Sequence, residues 1–148
     1  MDFQRPTEDE SNWFYNGLPS RPRLVARSSS TPSRFKNLDS WSSDRKTITV
    51  VGNHAIVSKW NDEPSPLRNE ILDILTRHNV DCCAIDVLRI GYLDEEIPVN
   101  VSISVSADKV WEISSHVAWE CRKALVEHGL DDVHCEIEES KLVNLASR

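Results

Sequence analysis

Apolar positions between residues 47 and 139 recur at two periods, every second residue in some stretches and every third or fourth in others. Alternation is cleanest over Val99–Val105, where Val99, Val101, Ile103 and Val105 share one side and Asn100, Ser102 and Ser104 the other. That run predicts a strand with one packed face and one wet face. Residues 82–90, ending before Gly91, predict the strand before it. Residues 133–138 predict the strand after the next helix, with Val133, Cys135 and Ile137 inward and His134, Glu136 and Glu138 outward. Residues 54–60 read as a first core strand, and 47–51, across Gly52-Asn53, as an extra edge strand. Helical spacing links Leu67, Ile71, Ile74, Leu75 and His78, with Ser65 as N-cap, Pro66 at the first helical position and Asn79 as a left-handed stop. A second helix begins near Asp108, carries Val110, Ile113, Val117, Cys121, Ala124 and Leu125 on its buried stripe, and closes at Gly129.

The resulting order, strand-helix-strand-strand-helix-strand, predicts an α+β fold: a ferredoxin-like βαββαβ sandwich over residues 47–148. It would have a four-stranded antiparallel sheet in the order 4-1-3-2 and two helices on one face. The opposite face would show Asn100, Ser102 and Ser104 near His134 and Glu136, with His54 able to join them. Solvation alone explains a polar face. A chemical reading makes His134 an acid/base group oriented by Glu136 or His54, in a small enzyme or small-molecule-binding domain. That reading requires a concave, partly apolar pocket around these residues.

Residues 1–46 read as an extended tail, with Pro6, Pro19, Pro22, Pro32 and the polar run SSSTPS. Yet six of the ten aromatic residues lie there, whereas disordered segments are poor in aromatics. Trp13, Phe14, Tyr15 and Leu18, supported by Arg21, Arg23 and Arg27, therefore form a candidate partner-binding set. They could anchor on the chain's own domain, on a second copy or on a different protein. Arg21, Arg23 and Arg27 also precede Ser28, Ser29 and Ser30 at a spacing that basophilic kinases could use.

Charge divides along the chain. Residues 1–46 hold 8 Lys+Arg against 6 Asp+Glu, and residues 47–148 hold 9 against 18, giving the net −7. Docking of the basic stretch on the acidic domain is favoured, and binding of nucleic acid through that domain is not. The strands' polar face also lacks aromatics that could stack bases. No segment is apolar over the length a bilayer requires, and the first ten residues contain no signal-peptide core. Cys82 and Cys83 are contiguous rather than spaced as Cys-x-x-Cys, so no metal is expected, and the four glycines form no phosphate loop, so no cofactor is expected. A cytoplasmic protein with reduced thiols follows.

The segments YNGLPSRPRLVARSSSTP (15–32), VGNHAIV (51–57), IDVLRIG (85–91) and HGLDDVHCEIEES (128–140) resemble, in order and wording, motifs of an uncharacterised fungal protein family. The resemblance implies one module of a larger protein or a stand-alone relative, and a tail that is ordered or bound. It carries no site residues, because none is assigned in that family. The first expectation is thus a non-enzymatic protein-interaction or regulatory module. The alternative is a small enzyme or small-molecule-binding domain around His134 and Glu136.

Overall fold

The computed structural model describes residues 5–34, 44–106 and 111–139. Thr7 caps the first helix, α1 (Glu8–Trp13), its hydroxyl accepting the Glu10 N–H at 3.1 Å. Strand β1 (Arg23–Arg27) follows, then β2 (Lys46–Thr49), α2 (Ile56–Asn61) and α3 (Pro66–Arg77). The chain continues through β3 (Cys82–Tyr92), β4 (Val99–Val105), α4 (Trp111–Glu127) and β5 (His134–Glu139). The five strands make one mixed, curled sheet in the order β1-β5-β4-β3-β2. All neighbours are antiparallel except β4 and β5, which run parallel because α4 connects them by a crossover.

The termini of α3 and α4 are set locally. Ser65 Oγ accepts the Arg68 N–H at 3.1 Å and Pro66 opens α3. At its end, Val80 N–H bonds to Leu75 O and Asn79 N–H to Thr76 O while Asn79 adopts φ 55. The same paired bonds close α4 through Leu130 to Leu125 and Gly129 to Val126, with Gly129 at φ 80. Both are Schellman endings, which satisfy carbonyls the helix would otherwise leave unpaired. Leu67, Ile71, Ile74 and Leu75 of α3 and Val117, Cys121, Ala124 and Leu125 of α4 pack on Val99, Val101, Ile103, Val105, Val133, Cys135 and Ile137. This is the main core.

The ferredoxin-like expectation is overturned. The sheet has five strands rather than four, it is mixed rather than antiparallel, and four helices accompany it. The supposed first strand, 54–60, instead carries α2 from Ile56 onward. Ile56 is fully buried and Trp60 packs against the same core, and in α2 these two lie four residues apart on one face. With no strand inserted, β4 and β5 pair directly, and the other side of β5 is taken by β1, which lies within the segment read as a tail. A bulge between Leu24 and Ala26 sends these residues to opposite faces, Ala26 to the main core and Leu24 to a second one. Residues 47–51 overlap β2, which is an edge strand. The expected helix start near Asp108 lies outside the described residues.

The second core lies on the sheet face opposite α3 and α4. Phe14, Tyr15 and Leu18 pack there on Leu24, Ile90 and Leu88. The wet face expected from the alternation of β4 is therefore covered, and Asn100 and Ser102 are only 3% and 4% exposed. Among the described residues, no helix is long and apolar enough to cross a membrane.

Candidate functional site

On that second face the sheet and the N-terminal segment form a cavity of ≈ 290 Å³ that opens to solvent. Its floor comes from β3, β4 and β5 through Ile90, Tyr92, Asn100, His134 and Glu136. Its walls come from Phe14, Lys46, and the segment carrying Ser29, Thr31 and Pro32. Strand periodicity explains the floor: His134 and Glu136 are two apart on β5, and Asn100 is the register partner of His134 on β4.

The wall segment is tied at both ends. Arg27 donates to Glu10 at 2.9 Å and to Ser29 at 3.1 Å, and Ser33 also bonds Glu10. At the far end the Arg34 N–H donates to the Tyr92 hydroxyl at 2.8 Å, and the Arg34 guanidinium pairs with Asp44, Asp94 and Glu95. Hydrogen bonding to Asp94 raises the Arg34 pKa and lowers that of Asp94.

Lys46 opens β2 with its backbone N–H bonded to Asn16 O at 2.7 Å. The turn after α1 needs Gly17, at φ 106, because it packs on the Lys46 backbone and a Cβ there would lie 2.4 Å from Lys46 O. The side chain is buried, 8% exposed, with Nζ 3.1 Å from the Phe14 ring centre, 5.3 Å from that of Tyr92 and 5.6 Å from that of Tyr15. Among the described residues Nζ has neither a hydrogen bond nor a salt bridge. Burial lowers its pKa from 10.5 to about 8, against the attraction of Glu136.

Glu136 is 4% exposed and accepts the Tyr15 hydroxyl at 2.8 Å. Burial, then the charges of Glu136 and Glu138, push the Tyr15 pKa well up, so this phenol stays a donor. Ser28 Oγ accepts the Cys135 N–H at 2.9 Å and lies 2.9 Å from His134 Nδ1. Ser28 Oγ has a second lone pair and a proton, so the direction of its bond with Nδ1 follows the tautomer of the ring. Burial, then Arg122 and Arg27, lower the His134 pKa, favouring the neutral ring. Beyond Glu136, Glu138 accepts from Ser104 at 2.9 Å, and burial raises its pKa to about 7.

His134 and Glu136, singled out from the sequence, thus line one cavity. His54 does not join them: its Nδ1 accepts the Ile56 N–H at 3.0 Å and its Nε2–H donates to Asp132 at 2.7 Å, on the loop before β5. Of the aromatic set, Phe14, Tyr15 and Leu18 are buried in the second core, while Trp13 is half-buried beneath Arg21, 4.0 Å from its ring centre. Arg23 and Arg27 pair with Glu8 and Glu10 of α1. Sequence reasoning missed α1, β1 and Lys46. Thr7-x-x-Glu10 carries the signature of a helix start and could have revealed α1. Nothing local marks Lys46, whose burial depends on Phe14 and Tyr92.

The chain matches no protein-family model, no curated protein and no solved structure.

Proposed function

We propose that this chain is a small-molecule-binding domain, with the cavity on the second sheet face as its site and the N-terminal segment as the wall that completes it. The observation that carries the reading is the cavity itself. Its apolar lining (Phe14, Ile90, Tyr92, Pro98) converges with polar groups (Lys46, Glu95, Glu96, Asn100, His134, Glu136), a mixture found in ligand sites. A cavity of about 150 Å³ already holds benzene, so ≈ 290 Å³ gives room for a larger ligand. The aromatic anchors then act within the chain, as the device that shapes the pocket.

The test is a thermal-shift screen of neutral and cationic metabolites, followed by backbone amide shifts of Gly91, Asn100 and His134. A ligand held only by the folded state at about 100 times its Kd adds about 2.7 kcal/mol and raises Tm. Hits that shift amides elsewhere, and none in the cavity, would remove the reading.

A second reading, association with another copy or another protein, draws on β2. It is an edge strand, and Ile48 on it and Val50 just beyond it are exposed, Val50 at 82%. Light scattering on the wild type and Ile48→Lys decides it, since a monomer in both cases leaves self-association without support.

A further inference from the structure

We propose that Lys46 is a nucleophilic amine that captures a small neutral or cationic aldehyde or ketone in this cavity as an imine. The proposal rests on the small-molecule reading above and names the ligand class.

Four observations converge on Lys46. Lys46 is 8% exposed and sits in the wall of a cavity, its Nζ close to the rings of Phe14 and Tyr92, which line the same space. Among the described residues it has no hydrogen-bond acceptor or carboxylate partner, although Glu136 is near enough to influence it. Apolar burial favours the neutral amine, the form with a free lone pair, and about half of the side chains carry it near pH 8. Gly17 and Asn16 fix the backbone from which the side chain projects, and the rings of Phe14, Tyr15 and Tyr92 pack around its end.

An amine with no partner among the described residues could also invite an anion. The lining argues against that, because Glu95, Glu96 and Glu136 face the same cavity and His134 favours its neutral form. With Glu95 held by Arg34, Glu96 and Glu136 still outnumber the one amine and favour a neutral or cationic ligand over a carboxylate or phosphate.

The chemistry is self-contained. The Nζ lone pair attacks the carbonyl carbon, a C–N bond forms, and the C=O π electrons move to oxygen. A proton passes from nitrogen to that oxygen, giving a carbinolamine. Loss of the second nitrogen proton and departure of the oxygen as water then leave the C=N bond. Amine and carbonyl become imine and water, with no oxidant or reductant. Glu136 and His134 are the cavity groups able to relay the protons.

The test incubates the full chain with benzaldehyde and sodium cyanoborohydride at pH 8, with peptide mapping of the reduced benzyl adducts. An ordinary lysine near 10.4 is only about 0.4% neutral at that pH. Lys46 should therefore be labelled at least about tenfold faster than the exposed Lys59 and Lys123. Lys46→Arg should lose this adduct and keep the slow background. The anionic probe 4-carboxybenzaldehyde should label Lys46 several-fold more slowly, and equal labelling would overturn the selection by charge. Labelling of Lys46 no faster than of Lys59 and Lys123 would overturn the imine. Benzyl alcohol, the same ring without a carbonyl, separates the two levels. If it shifts the Gly91, Asn100 and His134 amides while Lys46 gives no adduct, only the imine fails. If it shifts none and no adduct forms, the pocket reading fails with it.

Discussion

Replacing Lys46 with methionine keeps an unbranched apolar stem in the second core and removes the amine. In the folded chain, burial lowers this group from 10.5 to about 8, whereas in the unfolded chain it titrates at its ordinary value. Below pH 8 both states carry the proton, and the folded state bears the cost of a poorly solvated ammonium. Between about 8 and 10.5 the folded state has released its proton and the unfolded state still holds it. Wild-type stability therefore rises with pH across that window. At about 1.4 kcal/mol per pH unit, the gain approaches about 3 kcal/mol. Lys46→Met has no such group, so the difference, wild type minus variant, should grow by about 3 kcal/mol between pH 7 and pH 10.5. The absolute difference at either pH mixes in packing and the contacts of Nζ with the rings, worth about 0.5–2 kcal/mol; the change between the two does not. Urea denaturation of both proteins at both pH values, with a reductant present for the cysteines, measures it. Two profiles that run parallel from pH 7 to 10.5 would refute the claim that Lys46 is desolvated.

The remaining predictions concern its neighbours. Glu138 behaves with the opposite sign: its pKa is raised from 4.5 to about 7, so its contribution is present below 4.5 and lost as pH rises through 7. Glu138→Gln should accordingly gain on the wild type by about 2–3 kcal/mol between pH 4.5 and 8 in urea melts, and no gain would contradict the burial of this carboxyl. Tyr15→Phe removes the donor to Glu136 at 2.8 Å, deep in the second core, and should cost about 1–3 kcal/mol at pH 7 by chemical denaturation. Gly17→Ala should destabilise by more than about 2 kcal/mol, because it combines φ 106 with a clash against the Lys46 backbone. It should also slow aldehyde labelling of Lys46, and unchanged labelling would show that this turn does not position the amine. His54→Ala loses both the exposed pair with Asp132 and the acceptor for the Ile56 N–H, and should cost about 1–2 kcal/mol by thermal melting.

Much of the molecule was legible in one dimension. Ser65, Pro66 and Asn79 marked α3, Gly129 marked the end of α4, and the alternation of β4 placed Val99 to Val105 against the helices, all because caps, turns and strand periodicity depend on neighbours in sequence. The pairing of His134 with Glu136 on one side of β5 was legible for the same reason. What could not be read was which surface each polar face would meet. Asn100, Ser102 and Glu136 look like solvated positions along the chain, and they are buried because Phe14, Tyr15 and Leu18 arrive from more than eighty residues away. Likewise 54–60 has the composition of a strand, but its two core contacts, Ile56 and Trp60, are met by a helix. The place beside β5 went to β1, whose Arg23 and Arg27 are held by Glu8 and Glu10. Sequence by itself determined α3, β3, β4, α4 and β5 and the sides of β4 and β5, but not α1, β1 or α2. Tertiary structure alone decided the strand order, the covering of the second face and the isolation of the Lys46 amine, because each depends on which distant apolar surfaces find one another and exclude water.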